Sequence, residues 1–299
     1  MINILSIDLE DWYQLAHRRV TGELLPARDA VLHQLDVILE MLAETSTRAT
    51  FFTLAMVAEQ YPEVVKRVAA AGHEIACHGY RHLIVHHCSR AEFEEDTRKA
   101  KTILENLSGK PVLGYRAAEF SIRRNALWAL EVLSELGFVY DSSIFPIRHR
   151  RYGISDFDPR PSRHELPGGL SLIELPPSML PMAGLRLPVA GGGYFRLLPM
   201  SALRQAVQRL NAEGRPLVTY LHPAEFDPEN LDVMWSLRPK TKRQRWRAQI
   251  FNFHQNLRRR TMREKVSMLL REFQFSSCQE YLDAAGLDPG RGLLSAHRG

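Results

Sequence analysis

The 299-residue chain is 45% hydrophobic and 24% charged, with a formal net charge of +5, a balance that excludes a disordered, collagenous or disulfide-stapled class. Its length suits one large α/β domain or two small ones. Cys77, Cys88 and Cys278 are odd in number and lack CxxC spacing, which argues against a thiolate zinc site and fits a reducing compartment.

MINILSIDLEDW runs straight into an apolar strand pattern without a basic leader or a cleavage site, so a cytoplasmic location is expected. NILSID reads as a buried strand, and AVLHQLDVILEMLAET (30–45) has helical apolar spacing. RATFFTLA (48–55) is the second strand, PEVVKRVAAAG (62–72) a helix between an early Pro and a terminal Gly, and HEIACH the third strand. SRAEFEEDTRKAKTILENLSG (89–109) predicts a helix capped by Ser89 and stopped by Gly109. VLGYRAA, RRNALWALEVLSELG and FVYDSS continue the alternation as strand, helix and strand.

From 148 to 200 the texture turns to Pro, Gly and short extended pieces, read as an irregular wall. MSALRQAVQRLNAEG (200–214) is a helix, LVTYLHP (217–223) a late buried strand, and helix returns beyond 255. Such alternation implies successive βαβ units around a parallel sheet or barrel. Positive charge gathers in RPKTKRQRWR (238–247) and LRRRTMREK (257–265). It reads first as a solvated helical face and second as a footprint for a polyanion or an anionic membrane surface. No nucleic-acid motif accompanies it, and no nucleic-acid partner is expected.

Polar groups recur at the ends of the strands: Asp8, Glu10 and Asp11, then His78 and His82, Arg116, Asp141, and His222. Strand C-termini converge on one face of a barrel or open sheet, where active sites lie. The HxxxH pair His78/His82 places both rings on one face if that segment turns helical, a geometry that Zn²⁺ or Mn²⁺ accepts. DLED adds the carboxylate, because a buried strand ending in acids needs a compensating cation. Glu10 is favoured as ligand and Asp11 stays open. Asp8 then suits the base that takes a proton from the attacking water, and His222 the acid for the leaving group. Arg116 would hold Asp8 ionised, and Asp141 would orient His222.

SIDLEDW, ATFFTLAMVAEQYPE with GHEIACHGYRH, GYRAAEFSI, FVYDSSIFP and LVTYLHPAEFDP, in that order, resemble the polysaccharide deacetylases, also called the NodB-homology or carbohydrate esterase 4 family. GGGYFR and the region beyond about 225 are similar to the subgroup associated with exosortase and exopolysaccharide gene clusters. The resemblance implies a distorted (β/α)7 barrel over residues 1–225, with residues 226–299 as an extension packed on it. It also implies removal of an N-acetyl group from an amino sugar with a divalent metal, zinc first and cobalt or manganese as alternatives. Asp8 matches the base, Arg116 its tether, His222 the acid, and His78 and His82 the metal histidines. Where relatives have Arg-Ala-Pro, this chain has Arg116-Ala117-Ala118-Glu119, which puts substrate fit in question. Arg81 is bulkier than usual and faces either an anionic sugar group or solvent.

The expected substrate is an acetylated amino-sugar saccharide, with a polysaccharide-assembly complex or the inner-membrane surface as further partners. Two other readings stand beside it: an inactive sugar-binding subunit of such a complex, and an amidohydrolase acting on a non-sugar amide. Trp12, Tyr13, Tyr194, Phe195 and Trp235 are aromatic candidates for sugar stacking, with core packing the simpler role for each.

Overall fold

The computed structural model describes residues 1–287 except 183, 184, 230, 233, 235 and 236, so Trp235 lies outside the described residues. In chain order the elements that matter are β1 (Asn3–Ile4), β2 (Ser6–Leu9), α1 (Trp12–Thr21), α2 (Ala30–Glu44), β3 (Thr50–Thr53), α3 (Ala55–Gln60), α4 (Pro62–Ala70), β4 (Glu74–Cys77) and α5 (Arg90–Ser108). They continue as β5 (Gly114–Tyr115), α6 (Trp128–Glu135), β6 (Tyr140–Asp141), β7 (Ser162–Leu166), β8 (Leu170–Glu174), β9 (Met179–Met182), β10 (Leu185–Pro188), α7 (Gly192–Leu197) and α8 (Met200–Ala212). Helix α9 (Lys242–Asn256), α10 (Met262–Glu272), β11 (Phe275–Ser276) and α11 (Cys278–Ala285) follow.

Strands β2, β3, β4, β5, β6 and β8 pair in that order and in parallel, and β7 lies antiparallel on the outer edge of β8. Segment 217–222 flanks β2 on its other side, with parallel bridges Ile4–Val218 and Ile7–Leu221 and a bond from Asp8 N–H to the Leu221 carbonyl at 2.8 Å. Bonds from Ser178 N–H to Val218 (3.2 Å) and from Tyr220 N–H to Ala190 (3.0 Å) join that segment to the chain beyond β8. The ring closes irregularly there, giving a distorted (β/α)7 barrel.

Alternation along the strands explains both cores, because successive side chains face opposite sides. Ile7, Leu9, Phe51, Ile75, Cys77 and Tyr115 face outward and are covered by apolar stripes of the helices, such as Val31, Leu35, Ile38 and Leu42 of α2. Each such residue contributes about 1.5–3 kcal/mol when buried. Phe52, Ala76, Tyr140, Ile173 and Val218 fill the interior. Gly114 is required there, since a Cβ would stand 2.0 Å from the Tyr140 ring.

The predicted 89–109 helix forms with a full capping box, Ser89 Oγ accepting from Glu92 N–H and the Glu92 carboxylate accepting from Ser89 N–H at 2.8 Å. Gly109 ends it in the left-handed region at φ 67°. Helices α1, α3 and α7 were not expected: α1 follows DLED directly, α3 fills the stretch between the second strand and the 62–72 helix, and α7 occupies GGGYFR inside the expected irregular wall. Helix α9, beginning at Lys242, takes in the basic stretch read as a helical face.

Chain beyond 225 touches the barrel at both ends. Helix α9 packs on α1 through Trp12, Ala16, Ala248 and Phe251. At the opposite end β11 pairs with β1, and Cys278 and Leu282 of α11 join the interior cluster beneath Ile4 and Phe52. Among the described residues, no helix is long and apolar enough to cross a membrane.

Candidate metal centre

The inward row that carries Asp8 and Phe52 is followed, two residues further along each strand, by Glu10 after β2 and His78 after β4. Arg116, one residue past β5, belongs to the same layer. The barrel mouth is thereby lined with polar groups. Arg116 is fully buried, and each of its three guanidinium nitrogens has a partner. Its guanidinium donates to Asp8 Oδ1 at 2.6 Å, Ser6 Oγ at 2.8 Å, Ser142 Oγ at 2.8 Å and the Ser142 carbonyl at 3.2 Å, and it stacks 4.0 Å above the Phe52 ring. A charge this deep persists only with such pairing, so Asp8 is fixed in place with Oδ2 left over.

His82 reaches the same spot by a route the sequence reading did not foresee. Residues 79–82 form no helix. Asp96 of α5 clamps them as a turn, accepting from Tyr80 N–H at 2.8 Å, Arg81 N–H at 3.3 Å and Arg81 Nε at 3.0 Å. Gly79 (φ 76°) takes left-handed backbone freely, having no Cβ, whereas His82 (φ 56°) does so under a strain typical of residues held for function. The two imidazoles end with ring centroids 5.4 Å apart. The same clamp settles Arg81, which pairs with Asp96 at the side of the turn.

Glu10, His78 and His82 come together with one ligand atom of each within 4.8 Å of the others. Glu10 Oε2 lies 3.5 Å from His78 Nε2 and 3.0 Å from His82 Nε2, is buried, and has no hydrogen-bond partner among the described residues. His78 Nδ1–H donates to the Arg116 carbonyl at 2.8 Å, which leaves Nε2 with its lone pair toward Glu10, the arrangement of a metal-binding histidine. Arg18 stands beside His82, contacting its Nδ1 at 2.9 Å and donating to its carbonyl. A guanidinium only donates, so with Arg18 in contact Nδ1 accepts and the proton of a neutral His82 ring lies on Nε2, beside Glu10. The donor set, two imidazoles and a carboxylate whose Oε2 is buried without a hydrogen-bond partner among the described residues, fits a divalent cation that would take the place of that proton. Burial would raise the Glu10 pKa, but His82, His222 and His78 outweigh it and hold the carboxyl well below its ordinary value.

Asp11 does not join them. Its buried carboxylate caps α1, accepting from Gln14 N–H at 3.3 Å and Arg28 N–H at 3.2 Å, and burial pushes its pKa up to about 6 despite those bonds. Of the two acids left open, Glu10 is the one beside the histidines.

His222 leaves segment 217–222 with Nε2 3.3 Å from Glu10 Oε1 and 4.0 Å from Asp8 Oδ2. Its partner on the other ring nitrogen is Glu225, not the expected Asp141. Asp141 occupies the outward row with Cys77 and Tyr115, where Glu174 faces it across the β6–β8 pair and Ser143 Oγ donates to it at 2.5 Å. Burial tends to lower the His222 pKa, but hydrogen bonds to Glu10 and Glu225 hold it well above its ordinary value. Sequence reading passed over Glu225 although LHPAEF was in view; Pro223 opens a one-turn 3₁₀ helix that folds Glu225 back onto His222.

These groups form the floor of a cavity of about 710 Å³ whose walls include Trp12, Phe120, Tyr152 and Tyr220. The Ala118-Glu119 departure shows here as backbone. Glu119 (φ 51°) and Phe120 (φ 53°) are both left-handed, Phe120 meets Tyr220 edge-on at 4.6 Å, and Glu119 pairs with Arg151 at 3.1 Å.

Residues 32–140 match the family described as polysaccharide deacetylase, and residues 142–283 match a domain of unknown function, DUF3473. Residues 32–140 thus carry the polysaccharide deacetylase family match. Curated relatives include a peptidoglycan-N-acetylglucosamine deacetylase of Bacillus cereus, 36% identical over 95 residues, and a chitooligosaccharide deacetylase of Rhizobium leguminosarum bv. trifolii, 34% identical over 97 residues. The matches cover 31% and 32% of this chain and only 34% and 42% of those relatives. A Mycobacterium smegmatis structure assigned to the polysaccharide deacetylases superposes with a TM-score of 0.56 at 19% identity, covering 94% of this chain and 90% of that one. The Puue allantoinase structure gives 0.56 at 19% identity, over 91% and 85%. At these identities the likeness shows the shared fold.

Proposed function

We propose that this protein is a metal-dependent hydrolase that removes the N-acetyl group from an amino sugar during synthesis of a surface polysaccharide of the exopolysaccharide or O-antigen type. The observation that carries this reading is the Glu10, His78 and His82 cluster lying within one cavity with Asp8 and His222. The deacetylase names of the curated relatives support the reaction class, and the resemblance through GGGYFR and the region beyond 225 supports the polysaccharide setting.

A bound divalent cation, zinc or else cobalt or manganese, would supply Lewis-acid polarisation of the acetyl carbonyl and a lowered pKa for water. The chain's own residues divide the rest. Arg116 holds Asp8 by Oδ1, so Oδ2 faces the cavity and takes a proton from the attacking water. The water oxygen bonds to the acetyl carbon, and the carbon–nitrogen bond breaks. His222 hands its proton to the departing nitrogen, and the products are acetate and the free amino sugar. Glu225 keeps His222 cationic and aimed.

This reading places the enzyme in the cytoplasm, since all three cysteines are free thiols and suit a reducing compartment. It also places it against the membrane surface. Helix α9 exposes Trp246, Ile250 and Phe253 on one stripe. Lys242, Arg243 and Arg245 of the same helix form no ion pair among the described residues. That face fits anionic lipid.

The deciding experiment is acetate release from a panel of acetylated saccharides and non-sugar amides by the zinc-, cobalt- and manganese-loaded protein. Release from saccharides that His78→Ala abolishes is expected. Release from non-sugar amides alone would shift the reading to an amidohydrolase, and none from any substrate would leave a sugar-binding subunit.

A further inference from the structure

Above the Glu10, His78 and His82 cluster, the cavity wall carries six arginines from four separate parts of the chain. Arg18 and Arg19 come from the end of α1, Arg123 from the turn before α6, Arg150 and Arg151 from the segment after β6, and Arg247 from α9. The acids of the same wall do not balance them. Asp8 is taken by Arg116, Glu10 by the histidines, and Glu225 by His222 and Arg196. Glu119 is left, and among the described residues it pairs with Arg151 alone.

Some of these cations have structural work. Arg18 holds the His82 carbonyl, and Arg247 donates to the last carbonyls of α1 at Arg19 and Val20, where positive charge is favourable anyway. That account does not extend to the others. Arg19 lies against the Phe251 ring, 5.4 Å from its centroid, and forms no ion pair among the described residues. Arg123 and Arg150 likewise have no carboxylate partner among the described residues. Like charges gathered at a concave mouth repel one another and focus the field on whatever enters. A neutral acetylated saccharide offers nothing to offset that.

We propose that the acetylated amino sugar is bound as a glycosyl phosphate or diphosphate, with Arg19, Arg123 and Arg150 gripping the phosphate oxygens at the mouth while the acetamido group reaches the floor. The inference rests on the deacetylase reading for the sugar but not for the anion. Phosphate suits the set better than a sugar carboxylate does, because it brings more acceptor oxygens and up to two charges to guanidiniums arriving from different sides. The carrier beyond the phosphate is either a nucleoside or a lipid, and both present the same chemistry to these side chains.

The test titrates the full metal-loaded chain with a nucleoside-diphosphate N-acetylhexosamine, a short-chain lipid-diphosphate N-acetylhexosamine, and a neutral oligosaccharide of the same sugar. Each is also assayed for acetate release, and the Arg123→Ser/Arg150→Ser double variant is run beside the native chain. One or both phosphorylated sugars should bind at least tenfold more tightly than the neutral one, weaken steeply with salt, and lose at least tenfold in the double variant. Whichever carrier binds best identifies the source. A melting curve and the metal content of the variant guard against misfolding, and Arg98→Ser, on the outer face of α5, serves as a charge control. Equal affinity for the neutral saccharide, or affinity for the phosphorylated sugars unchanged in the double variant, overturns the proposal even if acetate is released. Arginine-dependent binding without release of acetate from any sugar supports the anion site and overturns the deacetylase reading instead.

Discussion

Glu225 Oε2 lies 3.5 Å from Nδ1 of His222, in a slot that exists only because residue 192 is glycine. A Cβ there would stand 1.8 Å from the Glu225 carboxylate. The carboxylate also accepts from the His222 backbone N–H at 2.9 Å and faces Arg196 Nε at 3.6 Å, so it is held on three sides. Glu225 lines the cavity but acts on the changing bonds only through His222; it is a positioning residue. Glu225→Gln should therefore lower kcat for acetate release by about tenfold to a hundredfold, within the range of general acid catalysis, and leave KM nearly unchanged. Glu225→Asp should recover part of the loss. Gly192→Ala should mimic Glu225→Gln by displacing the carboxylate. A rise in KM with kcat intact would contradict this role.

Asp141 and Glu174 face one another across the β6–β8 pair, both buried, and cannot both ionise cheaply. Burial pushes Asp141 up to about 6, and burial together with the Asp141 charge raises Glu174 well above its ordinary value. Folded-state values above the unfolded ones mean that the folded chain keeps protons the unfolded chain releases. The stabilisation is full below about pH 4 and is lost as pH rises through about 6. Glu174→Gln, which keeps the shape and removes one ionisation, should raise Tm at pH 8 by roughly 2–4 °C for each kcal/mol of repulsion relieved, with little gain at pH 4. Because the pair faces away from His222, acetate release should stay within about twofold. Melting curves at the two pH values decide it.

The misassigned role of Asp141 shows what the sequence held and what it lacked. The strand and helix pattern was legible because apolar runs, Ser89 and Gly109 each carry a local physical signal. The candidate cluster was legible as acids and histidines at strand ends. Whether a given acid faces inward depends on register, which pairing sets and single strands do not. Arg116 and Ser142 occupy one layer and touch, so Asp141, one residue earlier, turns outward with Tyr115. The turn that brings His82 to His78 depends on Asp96 from a helix 14 residues further on, a long-range contact that HxxxH spacing does not encode. Helix α1 escaped notice because its buried side is short, Trp12, Ala16 and Val20, amid polar and basic residues. Only its contact with Ala248 and Phe251 of α9 makes the pattern.

The metal centre predicts a division between two adjacent acids. Purified protein should carry about one divalent ion per chain, as a three-residue protein site with an open position would. Glu10→Gln and His78→Ala should each lose it by elemental analysis. Asp11→Ala should keep it and instead lose about 0.5–2 kcal/mol of stability, the usual cost of removing a helix cap. Chelation should lower Tm, since an ion at a hundredfold above its Kd contributes about 2.7 kcal/mol to the folded state. Loss of the ion from Asp11→Ala with retention in Glu10→Gln would reverse the two assignments.

The outer face of α9 makes a separate prediction about location. Trp246 and Phe253 are each 63% exposed and Ile250 40%, a cost in water that a soluble partner-free helix does not ordinarily carry as one stripe. The opposite side of the helix sends Arg247, Phe251 and Gln255 toward the cavity, so the two faces can be altered independently. Immersion of one such side chain contributes about 1.5–3 kcal/mol, and the neighbouring cations add attraction to anionic headgroups that salt screens. The protein should therefore sediment with vesicles containing phosphatidylglycerol, far less with phosphatidylcholine alone, and be released by 0.5 M salt. Trp246→Ser/Ile250→Ser/Phe253→Ser should abolish sedimentation while acetate release from a soluble substrate continues. Self-association in the ultracentrifuge that disappears in the same variant, without any vesicle binding, would assign this face to a second copy of the chain.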